Sequence, residues 1–358
     1  MKDARNTPIK IRRMSIRNYK GIDELEIEFP APSVRGNPDI IVMGSRNGLG
    51  KTSVIESGSL LLYALFLNEE QFRFSQNYAA IDIPDLIVRA GQDVTGIEGD
   101  IEVGGRIINV NLKINRNGHV EIRRKNKING LRPSQEGDLK NFIKMICGFT
   151  PNPIAEDGFI LFHSYRKVQE GNPGLGLLVE RERSLRRGLP LFRYEQPISA
   201  LKLRMLRAMM SEADLFDIGG DLESGESVNK LNDIMRVYAG GEIRKLRPSS
   251  ENTVDFRVKP TGTNGNETFT FDGLSSGQKE VVSTLFLIWD HTRSKPSVVF
   301  IDEPELHLNA GWHQSFVKEL VKIAPQNQYI LATHSEDIMN SVDEGRRILL
   351  LNNQEGDA

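Results

Sequence analysis

The sequence predicts an α/β chain with a largely parallel sheet covered by helices. Three observations carry this. Strand-like and helix-like segments alternate: an apolar run at 39–43 leads into a helical pattern at 51–67, and a helix at 276–291, a strand at 298–301, a helix at 310–323 and a strand at 329–332 follow one another later. A glycine-rich segment joins the first of these strands to its helix. A wholly apolar strand at 298–301 runs into two adjacent acids, Asp302 and Glu303.

Each element has its own reason. Ile9, Ile11, Met14 and Ile16 sit among basic residues, and Leu25, Ile27 and Phe29 alternate with acids, so two short strands open the chain. Residues 94–124 are rich in β-branched side chains and are broken by Gly104-Gly105 and Asn117-Gly118. Asn-Gly between alternating segments marks a hairpin, so this stretch is an antiparallel β insertion. A helix is expected at 139–147 and a short buried strand at 159–162. A loop rich in glycine and charge runs on to about 189, and Gly171 to Gly176 within it has no flanking strand and helix. Helical periodicity at 197–211 and 227–238 makes a helical subdomain, too interrupted for a long coiled coil. From 253 the pattern is strand, loop, strand, and a last strand falls at 348–351.

Composition bounds the function. Across 358 residues, 46 Lys and Arg oppose 48 Asp and Glu, for a formal charge of −2. That balance excludes a uniformly basic nucleic-acid binder but leaves room for a local basic groove. The single cysteine, Cys147, cannot form an internal disulfide, which points to a reducing compartment and hence the cytoplasm. The N-terminal basic residues have no apolar stretch behind them, so no secretory leader is expected. The most apolar run, 59–67, is far short of the roughly 20 residues of a membrane helix, so no membrane partner is expected.

Four motifs carry chemistry. The first is Gly44-Ser45-Arg46-Asn47-Gly48-Leu49-Gly50-Lys51-Thr52-Ser53, between strand and helix, where a phosphate-binding loop belongs. Glycines let backbone N–H groups turn toward phosphates, and the helix start adds unsatisfied donors. Lys51 would reach the β- and γ-phosphates of ATP, and Thr52 would ligate Mg²⁺. One departure stands out: the pattern G-x-x-x-x-G-K-S/T wants glycine at 45, and this chain has Ser45 after Gly44. The second motif is the strand ending in Asp302-Glu303-Pro304. Asp302 would hold Mg²⁺, and Glu303 would polarise the attacking water as general base. The third is Leu274-Ser275-Ser276-Gly277-Gln278, which opens a helix. The fourth is the strand at 329–332 followed by Thr333, His334 and Ser335. Taken singly, each has a plain structural explanation: a turn, a capped strand or a capped helix. Their shared order argues against coincidence.

With these motifs in place, the sequence resembles the ABC-type P-loop ATPases. Ser275 to Gln278 stand where that family has its signature motif, and His334 stands at its switch histidine. The opening Asn18-Tyr19-Lys20-Gly21-Ile22 and the run from Asp302 to Asn309 are more similar to the SMC/RecF/OLD-like soluble ATPases than to transporter subunits. The resemblance covers about 8–67 and 268–352. It implies an ABC-ATPase head, an ATP hydrolase in which two heads sandwich two ATP molecules, and trans contacts from Ser275 and Gly277 to the nucleotide of a second copy. Asn309 falls where transporters carry the D-loop aspartate, so that role is altered. No glutamine stands at the Q-loop position near 159–164; Gln169 is the next one along, and His163 is the alternative.

The resemblance divides the chain into an N-terminal half of the head at 1–180, with phosphate loop and β insertion, a helical subdomain at 181–250, and a C-terminal half at 251–358. The implied function is an ATP-driven switch in DNA maintenance or anti-phage defence. It would work as a homodimer or higher oligomer with a separate effector such as a nuclease, and DNA is a further partner to test. The competing readings are a transporter's nucleotide-binding subunit and an ATP-binding scaffold without DNA contact. The basic runs at 123–127 and 181–187 read first as solvated surface, and His307 with His313 lacks a third ligand for a metal.

Overall fold

The computed structural model describes residues 7–32, 34, 36–44, 50–72, 77–78, 81–126, 139–148, 152–166, 168, 199–212, 224–248, 253–262, 267–306 and 308–350. The chain divides into two compact units, one formed by 1–166 with 291–358 and the other by 167–290.

In the first unit the chain runs β1 (Ile9–Tyr19), β2 (Ile22–Glu28), β3 (Asp39–Gly44), α1 (Lys51–Phe66), β4 (Asn77–Tyr78), β5 (Ile81–Asp82), α2 (Ile83–Ile87), β6 (Val94–Val103), β7 (Arg106–Asn115), β8 (Val120–Lys125), α3 (Leu139–Ile146), β9 (Ile154–Glu156) and β10 (Phe159–Phe162). The second unit holds α4 (Ala200–Glu212), α5 (Ser224–Tyr238), β11 (Gly241–Pro248), β12 (Val254–Pro260), β13 (Phe269–Thr270) and most of α6 (Ser276–Thr292). The chain then returns to the first unit with β14 (Val298–Asp302), α7 (Ala310–Ile323), β15 (Gln328–Thr333), α8 (Glu336–Asn340) and β16 (Arg347–Leu349).

Two large sheets build the first unit, beside the short antiparallel pair β4–β5. One has the order β16-β3-β15-β14-β10-β9, parallel throughout except for the antiparallel edge strand β9. Its inner strands β3, β14, β15 and β10 are buried at every position, as expected of strands covered on both faces. The other sheet is antiparallel, in the order β2-β1-β6-β7-β8. The β insertion is therefore not a separate module. Its strand β6 pairs with β1 from Ile9 to Arg17, and the two opening strands belong to the same sheet. The turn between β6 and β7 is Gly104-Gly105, both at positive φ, as the type I′ turn of a two-residue hairpin requires.

Helix α1 packs between the two sheets, which explains why nearly all of it is buried rather than one stripe. Glycine permits the close approach on each side. A Cβ on Gly58 would stand 2.9 Å from Phe300 of β14, and one on Gly99 of β6 would stand 2.4 Å from Leu61 of α1. The core around α1 joins Leu60, Leu61 and Leu62 to Ile11, Ile101, Val110, Phe159 and Phe300. Each such side chain contributes roughly 1.5–3 kcal/mol by leaving water.

Strand β1 changes register against β6 between Ile11 and Arg13. The backbone there is completed by a side chain: Ile11 N–H donates to Gln328 Oε1 at 2.7 Å, and Gln328 Nε2 donates to the Ile11 carbonyl at 2.8 Å, all buried. Gln328→Leu should leave a buried donor and acceptor unpaired. That costs roughly 2 kcal/mol or more and lowers the thermal midpoint by roughly 5 °C. An unchanged midpoint would refute this role. The second unit repeats the device. The register shift between Ile243 and Lys245 in the β11–β12 pair is matched by Asn232 of α5, which accepts from Ile243 N–H at 2.8 Å and donates to its carbonyl at 3.3 Å.

The second unit combines the helices α4 and α5 with a three-stranded antiparallel sheet, β11-β12-β13. Residues 181–250, expected to be helical, contribute α4, α5 and strand β11. Lys202 of α4 is buried and donates to Asp272 Oδ2 at 2.6 Å, which compensates the charge. Among the described residues, no helix is long and apolar enough to cross a membrane.

Candidate active site

Four segments of the first unit converge at the carboxyl ends of β3, β14 and β15, the edge where open α/β sheets bind ligands. Gly44 ends β3; its lack of a side chain admits Met339, whose Sδ would lie 2.9 Å from an added Cβ. This packing accounts for glycine at 44. Ser45, Arg46, Asn47, Gly48 and Leu49 lie outside the described residues. Gly50, with φ +86°, is the N-cap of α1, and Lys51, Thr52 and Ser53 form its first turn. An added Cβ at Gly50 would also strike Ile22 at 2.8 Å.

Thr52 Oγ1 donates to Asp302 Oδ2 at 2.8 Å, across 250 residues of sequence. Asp302 is fully buried, and its Oδ1 has no hydrogen-bond partner among the described residues. Burial pushes the Asp302 carboxyl up from its ordinary range, against the opposing pull of His163 and the Thr52 hydrogen bond. A buried carboxylate oxygen without a partner, beside a hydroxyl, is a hard-oxygen pair suited to Mg²⁺. The described residues contain no cluster of three His, Cys, Asp or Glu side chains able to hold a metal.

Lys51 is buried, and its Nζ lies 3.4 Å from His334 Nδ1. Burial lowers the Lys51 pKa, while Asp302, Glu303 and Glu305 counter that shift. His334 Nε2 in turn lies 3.8 Å from Glu303 Oε1. Lys51, His334 and Glu303 thus form a chain across the mouth of the site. Glu303 has φ +47°, in the left-handed region that side chains with a Cβ avoid at a cost on the order of 1–2 kcal/mol. Strain of this kind gathers where function dictates geometry.

Sequence reasoning missed Glu305. Its carboxylate accepts from the Thr333 hydroxyl at 2.7 Å and from the His334 backbone N–H at 2.6 Å. It ties the turn after β14 to the turn after β15 and so sets where His334 stands. The signal was its place two residues after Glu303, within reach of the neighbouring strand end. Sequence reasoning also passed over Glu56, one helical turn after Thr52. Buried Glu56 accepts from Tyr19 at 3.0 Å, pairs with Lys20 at 2.6 Å and lies 3.5 Å from His163. Burial alone would raise its pKa, but His163 and Lys20 bring it below the usual carboxylate value. The Asn18 to Ile22 segment therefore anchors the helix that carries Lys51 and Thr52. His163, considered for the Q-loop position, is buried against Glu56 and stacks on Tyr165 at 4.7 Å.

The signature segment lies in the second unit. Ser275 Oγ accepts from Gln278 N–H at 3.2 Å, and Gln278 Oε1 accepts from Ser275 N–H at 3.1 Å. This is a capping box at the start of α6, with Ser275, Ser276 and Gly277 at the helix entrance. Asn309 caps α7 by accepting from Gly311 N–H at 3.0 Å.

Residues 215–340 match the family described as "AAA domain, putative AbiEii toxin, Type IV TA system". The chain is 22% identical to the retron Ec83 probable ATPase of Escherichia coli, over 97% of this chain and 72% of that protein. It is 33% identical to the retron Vc95 probable ATPase of Vibrio cholerae over 89 residues, 22% of this chain and 17% of that protein. Its fold is like that of an SMC head crystallised with the C-winged helix domain of ScpA, with a TM-score of 0.54 and 14% identity over 93% of this chain and 92% of that one. The chain has the fold of an ABC-type P-loop ATPase head. In this ATPase the segment matching the AAA family carries the capping box, Asp302, Glu303 and His334.

Proposed function

We propose that ATP drives two copies of this ATPase together head to head, and that hydrolysis releases them. The observation that supports this best is the meeting of Lys51, Thr52, Asp302, Glu303 and His334 at one strand edge. Lys51 places a cation against the β- and γ-phosphates. Thr52 and Asp302 would hold Mg²⁺, which neutralises charge on the phosphates when bound. Glu303 orients the attacking water and accepts its proton, and His334 bridges Glu303 to Lys51. The capped helix start at Ser275, Ser276, Gly277 and Gln278 offers backbone donors and hydroxyls to the γ-phosphate held by a second copy. That arrangement makes nucleotide the adhesive between heads.

The setting we propose is DNA maintenance or anti-phage defence, with an effector such as a nuclease in trans. The two retron relatives support the defence setting. The SMC head with its ScpA domain is a case of such a head working with a separate chain. In light scattering, ATP with Mg²⁺ should double the mass of the chain. Ser275→Arg should abolish the doubling and leave nucleotide binding intact. Full hydrolysis by a strict monomer would overturn the proposal.

A further inference from the structure

Glu303 sits at the end of β14 with a left-handed backbone, followed at once by Pro304. Something must hold it there. Its N–H donates to the Ala332 carbonyl of β15 at 2.7 Å, and its carbonyl accepts from Leu306 N–H at 3.0 Å. The remaining hold comes from a residue with no part in any motif. Arg166 exposes 5% of its surface and lies on the turn that follows β10. Its Nη1 donates to the Asp302 carbonyl at 2.5 Å, and its Nη2 donates to the Glu303 carbonyl at 3.0 Å. The same Nη1 also donates to the His163 carbonyl at 3.2 Å, which itself accepts from the Arg166 N–H at 3.0 Å. The turn at 163–166 is thereby closed on itself, and its guanidinium fork is aimed at two successive carbonyls.

We infer that Arg166 is a positioning residue that fixes the backbone of Glu303, and so aims its carboxylate. This rests on reading Glu303 as the proton acceptor. A guanidinium suits the task because it stays charged and presents planar, rigidly spaced donors, so it can grip two carbonyls in one orientation. Arg166 needs no contact with ATP to matter. A shift of about 1 Å in a reacting group lowers a rate by as much as 10²-fold. Arg166 is also the last residue of the first of the two segments that make up its unit.

The test uses the full chain with ATP and Mg²⁺. Arg166→Ala should lower kcat by about 10- to 100-fold and leave KM and nucleotide affinity within about twofold. Arg166→Lys keeps a charge but loses the fork; it should lose about 3- to 10-fold in kcat, with KM again unchanged, and it decides the matter should the alanine variant fail to fold. In a Glu303→Gln background, Arg166→Ala should cost no more than about twofold in the residual rate, because a residue acting only through Glu303 has nothing left to position. A loss that multiplies in the double variant overturns the inference, as does full turnover in Arg166→Lys. Inactive Glu303→Gln beside full-rate Arg166→Ala would refute this inference alone. Normal turnover in Glu303→Gln would refute the proton-acceptor reading and, with it, what is built on it.

Discussion

Glu303→Gln should bind ATP, accumulate as an ATP-bound dimer and hydrolyse on the order of 10²- to 10⁴-fold more slowly than the unmodified chain. The substitution keeps the size and planarity of the side chain. It removes the group proposed to accept a proton from water and leaves Lys51, Thr52 and Asp302 in place. Binding and dimerisation therefore survive while turnover stops. Nothing in the backbone should shift, because the contacts that hold residue 303 run through its main chain: the Ala332 carbonyl, Leu306 N–H and Arg166. Phosphate release and light scattering on the same sample check both halves. Wild-type hydrolysis in this variant would end the catalytic assignment of Glu303.

Lys51→Ala should weaken ATP binding by roughly 100-fold or more. A hydrogen bond to a charged group contributes about 1.5–3 kcal/mol, which is about 10- to 100-fold in affinity. A second effect adds to this. Asp302, Glu303 and Glu305 all lie close enough to act on the Lys51 ammonium. Without that cation the carboxylates face the incoming phosphates unopposed. Stability should change little, because burial already works against the charged lysine. The thermal midpoint without nucleotide should stay within a few degrees while fluorescent-nucleotide titration shows the loss. Normal binding would refute the phosphate-loop reading.

Local signals made some of this molecule legible in advance. The apolar run before Asp302 is a strand buried on both faces, and a strand of that kind can hardly be anything else. Gly104-Gly105 marks its hairpin because only glycine takes positive φ twice in succession without strain. Lys51, Thr52, Asp302 and His334 are legible as candidates because Lys51 and Thr52 open a helix after a glycine, and Asp302 and His334 stand at or just past the end of an apolar strand. The basic run at 123–127 shows the limit of such reading. Composition places it on the surface, yet Arg124 donates to the Ala64 and Leu67 carbonyls and closes the C-terminal end of α1. Arg123 pairs with Glu121. A charge run says nothing about which carbonyls wait nearby.

Arg166 and Glu305 were hidden for the same reason. Each works by satisfying backbone groups of a segment remote in sequence, and no spacing rule encodes that. Gln328 likewise looks like an ordinary residue at a strand start until β1 is beside it with its register broken at Ile11. By itself the sequence determined the main elements, their alternation and the residue types proposed for the site, because period, glycine and proline act within a few residues of themselves. Only the tertiary structure decided that the β insertion and the opening strands form one sheet, that α1 lies between two sheets, and which side chains hold Glu303 and His334 in place. Those are pairings between buried donors and acceptors brought together from distant segments, and they exist only once the chain has closed around α1.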